Sequence, residues 1–115
     1  MRFVNFLYLI IFLMMFSCTK DKVDDNVNLV CADVVSFGQE IEPLMNQHCI
    51  GCHNSSSASG GYNLEGHTNI SNQADQIIGA MQASGFQLMP IGGPALNDDL
   101  IQRFLCWIEQ GKLNN

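Results

Sequence analysis

Three stretches of this chain place apolar residues at helical spacing, and the loops between them are too long and too polar to close a core unaided. The first opens at Ser36, with Gln39 three residues on as in a capping box, and sets Phe37, Ile41, Leu44 and Met45 along one face before Cys49. Pro43 has no amide proton to give, so it either kinks that helix or sits in the first turn of a renewed one. From His53 to Ile70, Ser, Gly, Asn and His dominate without a period, which predicts loop. A second helix is expected from Ser71 or Asn72, with Ala74, Ile77, Ile78 and Met81 on one face and Gly85 as its stop. Two prolines and two glycines between Gln87 and Ala95 predict a rigid, non-helical loop. The last helix has Asn97 as N-cap, Asp98 and Asp99 in the first turn, where the dipole favours anions, and Gly111-Lys112 at its end. Its apolar face is Leu100, Ile101, Phe104, Leu105 and Ile108, with Trp107 beside it. No strand alternation and no internal repeat interrupts this reading, so the predicted fold class is all-α, three or so helices with long loops. A domain of roughly 80 ordered residues built this way buries little apolar surface, and something besides side chains is expected to fill its core.

The N-terminal segment is set apart from that domain. Arg2 precedes an apolar run from Phe3 to Phe16, broken only by Asn5 and stopping at Ser17-Cys18. It reads as a signal peptide over residues 1–17, since it falls short of the roughly 20 residues a bilayer-spanning helix needs and is apolar on every face, unlike a core helix. Met15-Phe16-Ser17-Cys18 resembles a lipobox, at which bacterial lipoproteins are cut and lipidated on the new N-terminal cysteine, although that motif usually has Leu where Met15 stands and a small residue where Phe16 stands. Cys18 is therefore the expected lipidation site, with plain secretion as the alternative; both place the chain outside the cytoplasm, periplasmic or membrane-attached, where disulfides persist. Residues 18–30 have the polar, charge-rich composition of a flexible tether, and residues 31–113 form the single domain that a chain of 115 residues has room for. From Cys18 onward four basic residues, Lys20, Lys22, Arg103 and Lys112, face eleven acidic ones, a formal charge of −7. Nucleic acid is thereby disfavoured as a partner, and a partner with a basic face would be steered in faster than an acidic one.

The chemistry is concentrated in Cys49-Ile50-Gly51-Cys52-His53. Two cysteines separated by two residues and followed at once by histidine form the attachment signature of c-type haem: both thiols reach one edge of the macrocycle while the imidazole turns beneath the metal. Gly51 would relieve crowding against the porphyrin, and a covalently held haem would supply the missing core. Three other readings stand beside it. A thioredoxin-like redox pair needs a βαβ context, which is absent here. A zinc site could draw on Cys49, Cys52, His53 and either His48 or His67. A disulfide between Cys49 and Cys52 is sterically awkward and leaves His53 without a role.

With that motif at the end of an amphipathic helix, the chain resembles a class I monohaem cytochrome c, and in particular the short planctomycete-type domains. The resemblance is carried by Phe37, Ile41, Pro43-Leu44 and Cys49 through His53, by Met89-Pro90, and by Leu100 through Trp107-Ile108-Glu109-Gln110-Gly111, over about residues 34 to 111. It implies a small cytochrome c-like fold, its helices and long loops wrapped around one covalently attached haem c, with the first and last helices crossing. It implies Cys49 and Cys52 as the thioether attachments, His53 as the axial ligand below the iron and Met89 above it. A thioether is a soft, neutral donor that favours ferrous iron, so His/Met ligation raises the reduction potential. Met89 as a hydrophobic plug is the plainer alternative, and His67 would give bis-His ligation and a lower potential. Met81 reads as core, while Met45 and His48 precede the attachment site too closely.

Cys31 and Cys106 remain, and an oxidising compartment favours a disulfide between them that would staple the two ends of the domain, which the resembled fold places close. Unpaired thiols are the alternative. The implied function is one-electron transfer between redox partner proteins, without enzymatic activity. A haem-based ligand binder with an open sixth site and a zinc-stabilised structural or binding lipoprotein are the readings from other classes.

Overall fold

The computed structural model describes residues 30–115. The predicted signal peptide, the predicted lipidation site Cys18 and all but the last residue of the predicted tether lie outside that range. Among the described residues the chain is helical, with α1 (Glu42–His48), α2 (Gly66–Asn72), α3 (Ala74–Met81) and α4 (Asp98–Glu109) and no strand. No helix of the described residues is long and apolar enough to cross a membrane.

The chain enters α1 through a π-helical turn, Phe37–Ile41, capped by Ser36, whose hydroxyl accepts from the Gln39 amide at 3.3 Å. The sequence pattern pointed to Gln39 as the reciprocal partner, but the Glu40 carboxylate takes the Ser36 amide, at 2.9 Å. A π turn spreads each hydrogen bond over one more residue, as in Ile41 N–H to Ser36 C=O at 3.3 Å, and so brings the fourth rather than the third side chain back over the cap. Pro43 falls in the first turn of α1, where its missing N–H costs nothing.

The expected loop from His53 to Ile70 is a loop only in its first part. Gly66–Asn72 is helical, although it carries a single large apolar residue, Ile70, which is 1 % exposed. His67 faces the core beside it, its Nε2 donating to the Lys112 carbonyl at 2.8 Å and its ring edge-on to Phe37 and Trp107. A half-buried histidine reads as polar in a hydrophobic pattern, so this helix is made by tertiary packing and not by period. The next helix, α3, ends four residues before Gly85. Its left-handed C-terminal residue is Ala83 (φ 54°), and Ser84 N–H to Gly79 C=O at 2.8 Å closes a Schellman motif.

Helix α4 follows its punctuation. The Asn97 side chain accepts from Leu100 N–H at 2.9 Å, and Gly111 (φ 90°) turns the chain out. Its buried face is Phe104, Cys106 and Trp107, so Trp107 stands at the centre of the face instead of beside it, and Leu105 stays outside the core. Trp107, Phe104, Ile41, Met45 and Ile70 are the largest fully enclosed side chains, each stabilising the fold by about 1.5–3 kcal/mol. The first and last elements pack together, with Phe37 and Trp107 rings 5.8 Å apart.

Both ends of the described segment close on this contact. Cys31 and Cys106 are joined in a disulfide, their Cα atoms 5.4 Å apart. Gln110 clamps the incoming strand of chain, accepting from Val35 N–H and donating to Asp33 C=O, each at 2.8 Å. Ordered contacts continue past residue 113. The Asn115 side chain and carbonyl accept from Phe37 and Gly38 amides at 2.8 and 2.9 Å, satisfying donors that the first turn leaves free.

Candidate functional site

Where α1 ends, the chain makes two tight turns, with Cys49 N–H bonded to Met45 C=O at 2.9 Å and His53 N–H to Cys49 C=O at 3.0 Å. The turns bring Cys49, Cys52 and His53 to the wall of one apolar cleft, while Ile50, pointing inward, packs against the core. Gly51 is exposed, its φ is not positive, and a Cβ there would meet nothing within 4 Å, so neither packing nor backbone demands glycine at 51.

His53 is held on every side. Its N–H and C=O are both bonded, the latter to Leu64 N–H at 2.8 Å, and its Nδ1 lies 3.2 Å from the Tyr62 carbonyl. A carbonyl oxygen can only accept, so Nδ1 carries the proton and Nε2 is left with a free lone pair. The loop that presents Tyr62 is organised by Asn54, which donates to Ile50 C=O at 2.8 Å and accepts from the amides of Ser56 and Ser57. Glu65 closes it by accepting from Ser55 N–H at 2.7 Å.

The facing wall comes from α3 and the loop after it. Met89 is positioned by its N–H to Ala80 C=O at 3.0 Å. Two adjoining clefts of about 200 and 220 Å³ share His53, Ile77, Ala80 and Met89, within reach of the space a small organic group needs when the two are taken together. Leu64, Ile77, Met81 and Leu96 floor the first. The second also takes in Tyr62, Phe86 and Gln76, whose buried Oε1 has no hydrogen-bond partner among the described residues. All four residues expected to hold a haem thus line one cleft. A larger groove of about 460 Å³ runs beside the Cys31–Cys106 disulfide, but it is open and brings together no comparable set of donors.

The competing ligands are used elsewhere or do not converge. Met45 is fully enclosed in the core, and His67 spends Nε2 on the Lys112 carbonyl at a distance from the cleft residues. Met81 lines the cleft, yet it belongs to the core cluster and is 3 % exposed. His48 lines the cleft as well, but among the described residues no three His, Cys, Asp or Glu side chains come together as a metal-holding group. Cys49 and Cys52 are not bonded to each other, and burial pushes the Cys49 thiol up to about 11. A dithiol redox centre needs its thiol lowered, the opposite displacement.

The donor set fits a c-type haem on chemical grounds: two free thiols at the required spacing, an imidazole whose tautomer leaves Nε2 for a metal, and a thioether across an apolar space. Sequence reasoning did not find Tyr62, which acts through its carbonyl, or Gln76 and Ala80, whose positions on α3 become informative only once the loop carrying Met89 is seen folded against them. Comparison with known protein families, curated proteins and solved structures gives no match for this chain.

Proposed function

We propose that this chain is a one-electron carrier working outside the cytoplasm, with a single haem c bonded through Cys49 and Cys52 and its iron held by His53 and Met89. The observation that carries this reading is the donation from His53 Nδ1 to the Tyr62 carbonyl, which orients the ring and frees Nε2 in a cleft that Cys49, Cys52 and Met89 also line. Glycine at 51 supports it by leaving room between the two thiols where the protein itself requires none.

When bound, haem supplies a ferric/ferrous couple that passes one electron without transferring atoms. The chain's part is to fix and tune that couple. His53 is held by its ring, N–H and C=O, so the ligand cannot swing as charge changes. Met89 offers a neutral sulfur, which favours the reduced state. Leu64, Ile77 and Leu96 exclude water from the cleft floor, a low-dielectric setting that would disfavour added positive charge on a group held there. The signal-like segment and Cys18 would deliver the domain out of the cytoplasm and tether it by lipid, with residues 18–30 as the leash.

The test is a reduced-minus-oxidised visible spectrum of protein made in a host with haem-attachment machinery, followed by acid-acetone extraction. Sharp α and β bands, haem that stays on the chain and a sulfur-to-iron band lost in Met89→Ala are expected. A colourless protein with stoichiometric zinc overturns the reading. Covalent haem with a bis-His or open-site spectrum keeps the cytochrome and removes Met89 alone.

A further inference from the structure

The two expected iron ligands are held very unequally. His53 is fixed through its ring, its N–H and its C=O, whereas Met89 is tied to the rest of the chain by the single bond from its N–H to Ala80 C=O at 3.0 Å. The loop that carries it offers little else. Residues 82–88 are all exposed, and Phe86, 45 % exposed, stands outside the core cluster. A loop with so few buried apolar contacts opens readily unless something more anchors it.

That anchor is found at Gly79, the residue before Ala80 in α3. Its C=O accepts from Ser84 N–H at 2.8 Å, so the loop is fastened at two consecutive helix residues, 79 and 80. Between Ser84 and Met89 in the chain stands Phe86, whose ring lies against the Gly79 backbone. A Cβ at Gly79 would come within 2.6 and 2.9 Å of two atoms of that ring and 3.1 Å of the Ser84 carbonyl oxygen. The ring thus fills the space a side chain at 79 would need. Nothing else in the helix asks for glycine there: Gly79 is buried, its φ is not positive, and glycine is a poorer helix former than alanine.

We infer that Gly79 and Phe86 are positioning residues for Met89. The ring, seated on helix backbone where no side chain intervenes, sets the distance of the loop from α3 and so keeps Met89 in the cleft it shares with His53. The consequence for iron ligation rests on the carrier reading, while the seat itself does not. A side chain at 79 levers the ring and the loop away from the helix and strains the Ala80–Met89 bond. Removing the ring empties the seat and frees the same loop. Neither change touches Met89.

The test is a double-mutant cycle on the full chain, with Gly79→Ala, Phe86→Ala and the two together, read in two ways. In the chain without haem, hydrogen exchange at the Met89 amide reports the loop, and the Gln110 amide, bonded to Cys106 C=O, reports the fold. In the haem-loaded chain, imidazole is titrated against the sulfur-to-iron band. Each single substitution is expected to speed exchange at Met89 by roughly tenfold and to let imidazole displace the sulfur at roughly tenfold lower concentration, with Gln110 unchanged. The pair should match Phe86→Ala alone, because a Cβ at 79 then finds the ring gone. Gly38→Ala, where a Cβ meets only the Asn115 carbonyl at 3.5 Å, should leave both readouts native. Native exchange at Met89 in Gly79→Ala overturns the inference, and so does equal acceleration at Met89 and Gln110, which makes Gly79 a requirement of the whole fold. Effects that simply add in the pair overturn it too, by assigning the conflict to the Ser84 carbonyl. A chain that takes up no haem overturns the carrier reading at the spectrum, while the exchange cycle still decides the seat.

Discussion

Breaking the Cys31–Cys106 bond should remove a large part of this domain's stability, and the size of the effect follows from the length of chain it closes. The two cysteines are separated by 75 positions. Constraining a loop that long in the unfolded chain stabilises the folded state by about 4.5 kcal/mol on the chain-entropy model. Small domains have only about 5–15 kcal/mol in total, and one with a single short core stands near the lower end. The perturbation is Cys31→Ser and Cys106→Ala, singly and together, followed by urea unfolding monitored through Trp107, the only tryptophan and fully buried. The midpoint should fall by roughly 2–4 M. Either single substitution already opens the loop, so the double variant should be little worse than the singles apart from the small cavity at Cys106, which is 4 % exposed. Fluorescence is read within one haem state throughout, since a bound haem would quench it. A total loss under about 1 kcal/mol, or single losses that simply add, would refute the loop-entropy reasoning and leave the Gln110 clamp as what holds the ends.

That clamp makes its own prediction: Gln110→Ala strands the Val35 amide and the Asp33 carbonyl, and should cost about 1–2 kcal/mol with faster hydrogen exchange at Val35. In the chain without haem, Cys49 gives a pH signature. Burial raises its folded thiol from 9.0 to about 11, so the folded chain keeps that proton to higher pH than the unfolded chain does. The contribution is whole below pH 9 and is lost as pH rises to about 11, worth about 2–3 kcal/mol; Cys49→Ser or thioether formation should abolish the slope in a pH series of urea melts. Ala83→Gly should raise stability by about 0.5–1 kcal/mol, since the left-handed conformation at 83 costs alanine more than glycine loses through its freer unfolded chain. An unchanged or lowered thermal midpoint in that variant would mean the Schellman turn adapts around alanine without strain.

The all-α class, the two ends of the last helix and the grouping of Cys49, Cys52 and His53 were legible in sequence because each rests on local rules. Asn97 caps because a side-chain oxygen can reach an amide three residues on, and Gly111 ends the helix because its backbone tolerates positive φ. Two thiols and an imidazole within five residues must lie close in any fold. Met89 was indicated only by the resemblance, through its Met-Pro context, and nothing in the spacing from Cys52 to Met89 says that the two share a cleft. Helix α2 could not be read, since a side chain that docks it is His67, polar in any hydrophobic pattern and half-buried only because Phe37, Trp107 and the Lys112 carbonyl pack around it. The tautomer of His53 was equally hidden, because it depends on a carbonyl nine residues away that a loop organised by Asn54 turns toward the ring. Sequence by itself determined the helical class, the ends of the last helix and the closeness of Cys49, Cys52 and His53, through contacts a few residues apart. Tertiary structure decided that Met89 lines the same cleft as Cys49, Cys52 and His53 and that His67 packs elsewhere, because those depend on segments distant in the chain meeting across one apolar space.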